Sequence, residues 1–546
     1  MTKVFGQQLH LSHITVKHLK SLGITTKQEI ATFLFPDISR LAEPFRIPEM
    51  GRACDFLLRS IRKCQPVFIF ADGDTDGITG AAMLVHFFSR IGVEYDIRLN
   101  HRLEEYEIEP DFIDRVRALG YGLLVTVDTG TGSHEALRHC EESGFPAIVI
   151  DHHLSQRCCK SENVVILNPA VSGSSSGRDE YFTGAGLVFK LIQALRGAMN
   201  YFPEEVFSSA LELATIGTIG DHGILLGENR TIVKLGLASL QNPVLSGLRR
   251  FKEHFYSPIE EDEIGGVLFY LNPKLNTPGR FGRPEISLQL LTVNSEDDCT
   301  SILNEIENLE RKKQKLLRRA FASCSDSARK MHYAPLVVLG DIPASFSGTI
   351  ASRLCEDCGR PALALIQRGT IIQGSARSAG MVDLYRFFNR KKELFLSFGG
   401  HASAVGIRFE RKFLGDVEKY WRTLEYERPK LGTSVIHELP LDALTVDLLR
   451  EISLLKPFGP GNPEILLKSD AICVKKTRQE RGKTVAWVKK NDVLFEAHFP
   501  ESMRISEGRP ISIVFSYRVR KVAEDLFLVV LNIRDSTGLV PSFEHR

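Results

Sequence analysis

Between residues 61 and 236, short runs of apolar, β-branched residues alternate with stretches patterned for helix, and this alternation limits the fold more than any other feature of the chain. The runs are PVFIFA (66–71), YDIRL (95–99), LLVTV (123–127) and AIVI (147–150), and a helical pattern through AAMLVHFFSRIG follows the first. Strands that are apolar throughout have both faces covered, and strands separated by helices pair in parallel. The expected fold class is α/β, with a doubly wound, mostly parallel sheet.

At 546 residues the chain exceeds what one hydrophobic core holds, so several domains are expected. Residues 1–60 read as short helical pieces punctuated by Pro36, Pro44 and Pro48, and 61–295 as the main α/β domain. A long connecting helix spans 296–332, changing midway from acidic to basic at Arg311, Lys312, Lys313, Lys315, Arg318 and Arg319. A solvated helix face explains those charges as well as contact with DNA does. A smaller α/β domain follows over 333–428 (PLVVLG, ALALIQ, TIIQGSA). In 440–546, AICVKK, TVAWVKK, VLFEAHF, ISIVFSY and LFLVVLNI predict five short strands, enough for a barrel of the oligonucleotide-binding (OB) type. Lys475, Lys476, Arg478, Arg481, Lys483, Lys489 and Lys490 flank Trp487 there, which suits a single strand held by charge and stacking, or a hairpin charged for solubility.

Composition adds exclusions. The 69 basic and 67 acidic residues nearly cancel, so only the distribution of charge can speak for nucleic acid. No run of about 18 apolar residues marks a membrane helix, and a cytoplasmic location is expected. Cys355 and Cys358 lack a second ligand pair at zinc-site spacing and read as bystanders.

The chemistry lies just beyond the strand ends. After FIF come Asp72, Asp74 and Asp76; after LLVTV comes Asp128; after AIVI come Asp151, His152 and His153. In an open parallel sheet, ligands bind outside the carboxyl ends of the strands, so these clusters can converge. Aspartate is common at turns and helix N-caps, so one Asp-x-Asp loop proves little. Three clusters at successive strand ends, with glycines at 77, 130 and 132, are hard to explain as capping. Hard oxygen donors with imidazole suit Mn²⁺ or Mg²⁺, and two such cations, bridged by one aspartate, would relieve the repulsion among the carboxylates.

In this order, DGDTDG, VDTG and IDHH, followed by ATIGTIGD, resemble the four motifs of the DHH phosphoesterase superfamily. The resemblance implies metal ligands Asp74, Asp76, Asp128, His152 and Asp221, with Asp128 bridging two divalent cations. It puts His153 on the scissile phosphate and leaves Asp72 a supporting or turn residue. FLFP, IPEM, NPA (168–170), TGAGLVFKL (183–191), GENR (227–230), PKLNTPGR, GSARS (374–378), FGGHASAVG (398–406) and KPFGPGNPE (456–464) are similar to the RecJ-type family of single-strand-specific exonucleases. The α/β parts then correspond to a DHH catalytic domain and a DHHA1 substrate-binding domain.

What this second resemblance implies is a 5′-to-3′ exonuclease acting on single-stranded DNA in repair and recombination and releasing mononucleotides. Asn276 and Arg280 would face phosphate. Ser375 and Arg377, with Arg102, would take the terminal 5′ phosphate, and Gly399, Gly400 and His401 the departing nucleotide. GSARS also reads as a plain Gly-Ser turn. Phe70 stands where many relatives place a histidine ligand, LEEYEIE replaces the usual residues after Arg102, and GDHGIL brings in His222 as either an extra ligand or a polar neighbour. A helicase and a single-strand-binding protein are left open as partners. Two other readings stand beside this one. One is a DHH phosphodiesterase of short oligonucleotides or cyclic dinucleotides, which the C-terminal barrel opposes. The other is a non-catalytic replication or repair scaffold, which the full ligand set opposes.

Overall fold

The computed structural model describes residues 2–4, 7–9, 11–100, 108–153, 161–171, 181–255, 263–340, 342–427, 436–480, 483–490, 493–500, 510–523 and 526–537. The chain forms two compact units, one of residues 42–223 and 235–430, the other of residues 1–41, 224–234 and 431–546.

The first unit opens with a five-stranded sheet of β1 (Val67–Asp72), β2 (Tyr95–Asn100), β3 (Leu123–Val127), β4 (Ala147–Ile150) and β5 (Val164–Leu167). Its order is β2-β1-β3-β4-β5 and every pairing is parallel. Strands β1, β3, β4 and β5 are buried at every position, which is why they read as continuous apolar runs, while edge strand β2 is mostly half-exposed. Strand order reverses between β1 and β3, and that switch point is where an open α/β sheet leaves a crevice at its carboxyl edge. Helices α1 (Thr75–Ile91), α2 (Gly184–Ala198) and α3 (Glu204–Gly220) pack on one another. Gly217 makes their approach possible, because a Cβ there would lie 2.5 Å from Ala185 Cβ and 2.8 Å from Asp76 Oδ1.

Further along this unit come α4 (Asn272–Arg280) and the long helix α5 (Glu296–Lys330), which links to a second sheet. That sheet contains β6 (Leu336–Leu339), β7 (Ala362–Arg368), β8 (Ile371–Arg377), β9 (Ser397–His401) and β10 (Ala404–Glu410), in the order β9-β10-β8-β7-β6. Only β6 and β7 pair in parallel. Helix α6 (Ser347–Cys358) covers β7 and β8.

The second unit holds the short strand β11 (Ile436–Glu438) and five longer ones: β12 (Leu466–Glu480), β13 (Lys483–Lys490), β14 (Val493–Pro500), β15 (Pro510–Ala523) and β16 (Leu526–Thr537). Their order is β11-β12-β13-β14-β16-β15, and β12 also pairs with β15, so the five longer strands close into a barrel. Ile14, Leu19 and Phe33, from two N-terminal helices, share its core with Ile472, Val488 and Phe515. Ser12 N–H donates to Glu451 Oε1 at 2.7 Å, and His18 Nε2 lies 3.0 Å from Asn462 Oδ1. No local periodicity reveals these long-range contacts. Among the described residues no helix is long and apolar enough to cross a membrane.

Candidate metal centre

Every expected metal ligand sits at an element end around the β1/β3 switch point. Asp74 is the N-cap of α1, its Oδ1 accepting from Asp76 N–H at 2.9 Å and Gly77 N–H at 3.3 Å. Asp76, in the first turn, is almost wholly buried and accepts from Gly184 N–H (2.6 Å) and Ala185 N–H (3.0 Å) at the start of α2. Capping therefore accounts for part of the Asp-x-Asp pattern. It does not account for the remaining residues. Asp128 follows β3 at φ 58°, in the left-handed region, and fits only because a Cβ at residue 184 would fall 2.7 Å from its own. Asp221 is the residue after α3.

These side chains converge on His152. Its Nε2 lies 3.1 Å from Asp128 Oδ1, 3.6 Å from Asp221 Oδ2 and 3.9 Å from Asp76 Oδ2. Among the described residues, three sets of donor atoms, each within 4.8 Å of one another, could hold an ion: Asp128, His152 and His153; Asp76, His152 and Asp221; Asp72, Asp74 and Asp128. The five expected ligands are thus gathered together, and Asp128 and His152 each belong to two sets. Asp72 joins a set as well, although the sequence reading gave it a supporting place. His222, exposed and at φ 56°, is in none of the sets among the described residues. Cys355 and Cys358 are also in none.

Two atoms test whether cations fit. Asp128 Oδ1 and His152 Nε2 are both buried, face each other at 3.1 Å, and have no hydrogen-bond partner. A buried polar atom without a partner costs about 1–3 kcal/mol, and such pairs persist where something else satisfies them. Oxygen and imidazole nitrogen converging on one point are the donors that a hard or borderline divalent cation takes.

The electrostatics agree. Burial, joined by the charges of Asp76, Asp74, Asp72 and Asp151, pushes the Asp128 carboxyl well above the usual range. Burial and the neighbouring carboxylates Asp76 and Asp74 likewise raise Asp221. Asp76 is raised by burial and Asp74 despite an opposing pull from His152. The protein alone cannot keep this ring fully ionised.

Asp151 organises the histidines. Its Oδ1 accepts from His152 N–H (2.8 Å) and His153 N–H (3.1 Å) and lies 2.7 Å from His153 Nδ1, while Oδ2 accepts from Thr131 N–H at 3.0 Å. Burial would lower the His153 pKa, but the hydrogen bond and charge of Asp151 outweigh it and leave it at about 9. The same contacts overcome burial to hold Asp151 well below the usual carboxylate range. Asn168, fully buried, donates to His153 O at 2.9 Å and Thr131 Oγ1 at 3.1 Å. Asp151 stood in the strand-end pattern without a role, and NPA was only a family likeness. Phe70, in the place of a histidine ligand, packs instead in the core, its ring 5.2 Å from that of Phe112.

The remaining expected residues are distributed as follows. Asn276 Oδ1 accepts from Thr75 N–H at 3.0 Å, which places this residue against the Asp74–Asp76 turn. Arg280 donates to Ser345 O at 2.5 Å and its own carbonyl accepts from Ser345 Oγ at 2.7 Å, joining α4 to the segment before α6. Ser375 Oγ is 3.0 Å from Ser347 Oγ, and a Cβ on Gly348 would lie 2.7 Å from Arg377 Nη2, so Ser375 and Arg377 meet at the N-terminus of α6. Donors and a guanidinium there make an anion-favouring corner. Gly399, Gly400 and His401 are exposed on edge strand β9, with Gly400 at φ 132°. Trp487 is partly exposed on β13 in the other unit. Arg102 lies outside the described residues, as do the side chains of Lys476, Arg481, Lys483, Lys489 and Lys490.

Comparison with known proteins points the same way. Residues 66–218 match the DHH family, N-terminal domain. The chain is 26% identical over 475 residues to the single-stranded-DNA-specific exonuclease RecJ of Bacillus subtilis, covering 85% of this chain and 59% of that protein. It is 29% identical over 426 residues to RecJ of Thermus thermophilus, covering 76% of this chain and 61% of that protein. The chain thus spans about three fifths of the length of these two relatives. A crystal structure of Thermus thermophilus RecJ in complex with Mn²⁺ superposes with a TM-score of 0.81 at 22% identity, covering 96% of this chain and 76% of that one, and shows the fold to be shared. The chain carries a DHH domain over residues 66–218, and beyond that domain it is similar in sequence and in fold to RecJ exonucleases.

Proposed function

We propose that this protein is a metal-dependent exonuclease that hydrolyses single-stranded DNA from its 5′ end, releasing mononucleotides during DNA repair and recombination. The observation that carries the reading is the buried pair Asp128 Oδ1 and His152 Nε2, unpartnered at 3.1 Å inside a ring of carboxylates. Asp74, Asp76, Asp128, His152 and Asp221 would hold two divalent cations, Mn²⁺ or Mg²⁺, with Asp128 shared between them. When bound, such a pair supplies positive charge to the phosphate and a water acidic enough to attack it near neutral pH.

The chain's own residues do the rest. His153, its Nδ1 taken by Asp151, is left with Nε2 as the atom that donates to a phosphate oxygen. Asn276 and Arg280 on α4 set the phosphodiester against the aspartate turn. Ser375 and Arg377, joined by Arg102, would grip the terminal 5′ phosphate, where arginine offers paired donors to its oxygens. His401, Gly399 and Gly400 would bound the nucleotide that leaves. Trp487, among the barrel's basic residues, would stack on bases without reading their sequence. The 5′-to-3′ direction rests on the resemblance to RecJ. A helicase and a single-strand-binding protein are the partners proposed for such an enzyme.

The test uses 5′-labelled single- and double-stranded oligonucleotides with Mn²⁺, alongside strands blocked at either end. Release of labelled mononucleotide from the single strand alone, stopped by a 5′ block and by Asp128→Ala, is the expected result. Stable binding without cleavage would instead favour a scaffold, and cleavage confined to dinucleotides a small-substrate phosphodiesterase.

A further inference from the structure

Asn272, the first residue of α4, belongs to none of the family motifs, yet its side chain joins three segments of the site. It is nine-tenths buried. Its Oδ1 accepts from the Thr75 hydroxyl and from Asn276 Nδ2 at 2.7 Å, and its Nδ2 donates to Gly220 O at 3.3 Å. Thr75 lies between Asp74 and Asp76, and Gly220 immediately precedes Asp221. The segments are also in close packing, since a Cβ on Gly220 would lie 3.0 Å from Thr75 Cγ2 and 3.3 Å from Asn272 Oδ1.

The consequence falls on Asp221. Asp76 is fixed by two backbone N–H groups, but the Asp221 side chain is 37% exposed and takes its position from the backbone at the end of α3. We propose that Asn272 is a positioning residue that holds Asp221 at the separation from Asp76 and His152 at which these three share one cation. This rests on the cluster being a metal centre. Asparagine suits the role because the junction needs an acceptor for two donors and a donor for one carbonyl, without another charge beside the carboxylates. Aspartate cannot donate to Gly220 O, and alanine supplies neither function.

The experiment titrates the full-length, chelator-stripped protein with Mn²⁺ by calorimetry and follows its melting temperature with and without the ion. The wild type is expected to take up two ions. Asn272→Ala is expected to weaken one of them about 10–100-fold, the range for losing a group that orients a ligand, and to leave the other within a few-fold. Thr75→Val, which keeps the side-chain shape and removes only the hydroxyl, should reproduce this defect, and Thr75→Ser should restore normal uptake. The double variant Asn272→Ala/Thr75→Val should be no worse than either single change, because both break one link. A folded Asn272→Ala protein with both affinities unchanged overturns the inference, as does equal weakening of both ions that Thr75→Ser fails to reverse. Either failure differs from a wild type that takes up no Mn²⁺, which would overturn the metal reading of the site itself.

Discussion

Replacing Asp128 with asparagine should make the metal-free protein more stable and the metal-loaded protein less stable. Asparagine has the shape of aspartate and tolerates the left-handed backbone at φ 58°, so the change alters charge with little strain. In the metal-free protein the Asp128 carboxylate is almost fully buried and lies within 4.8 Å of donor atoms of Asp72 and Asp74. Two unit charges at that separation repel by about 3.5 kcal/mol at an effective dielectric near 20. The carboxyl relieves much of this by holding a proton, so the recoverable part is smaller, about 1–3 kcal/mol. In a domain this large that corresponds to a rise in melting temperature of about 2–6 °C.

With the ions present the order reverses. A ligand at about 100 times its dissociation constant stabilises the folded state by about 2.7 kcal/mol, and a variant without the bridging carboxylate forfeits much of that gain. The assay is a pair of thermal melts followed by near-ultraviolet circular dichroism, one in a chelator and one in Mn²⁺, on wild type and Asp128→Asn. Crossing of the two orders is the expected result. If Asp128→Asn melts lower than wild type by the same margin in both conditions, Asp128 is an ordinary structural residue and the reasoning is refuted.

Three further outcomes are expected. In chelator, wild-type stability should fall as pH rises from about 4: the folded Asp128, Asp76 and Asp221 carboxyls titrate above the unfolded value of about 3.9, so the folded state binds more protons in that window and loses its advantage as they leave; a shallower fall in Asp128→Asn, measured by pH-dependent melts, checks it. Asp151→Asn, which removes the charged partner of His153, should lower kcat about 10²-fold while calorimetric Mn²⁺ affinity changes only a few-fold; parallel losses in both would contradict a phosphate-facing His153. Arg377→Met should reduce kcat/KM about 10–100-fold on 5′-phosphorylated strands and far less on 5′-hydroxyl strands, and equal loss on both would remove Arg377 from the terminal phosphate.

How much of this was legible in the sequence depends on the range of the interaction. The buried sheet could be read because a strand covered on both faces is apolar at every position, and four of the five expected ligands because they stand just beyond those strands, whereas Asp221 follows helix α3 and was legible only through the family resemblance. The barrel was legible from its five strands alone, although its closure, β12 against β15, is a pairing of segments tens of residues apart. What could not be read was set by contacts across long sequence separations. Ile14 and Phe33 belong to the barrel core, and nothing in an amphipathic N-terminal helix says which surface it will cover. Asp76 illustrates a subtler limit, since an aspartate two residues after another reads equally as a cap and as a ligand. In the structure it caps α2, 108 residues away in sequence, while its carboxylate lies 3.9 Å from His152. In this geometry the two readings are compatible. In the proposed centre the backbone N–H groups that fix the Asp74 and Asp76 carboxylates also pre-position them for a cation, so capping chemistry is part of how such a centre is built, and Asn272 would extend the same logic to Asp221 at the end of α3.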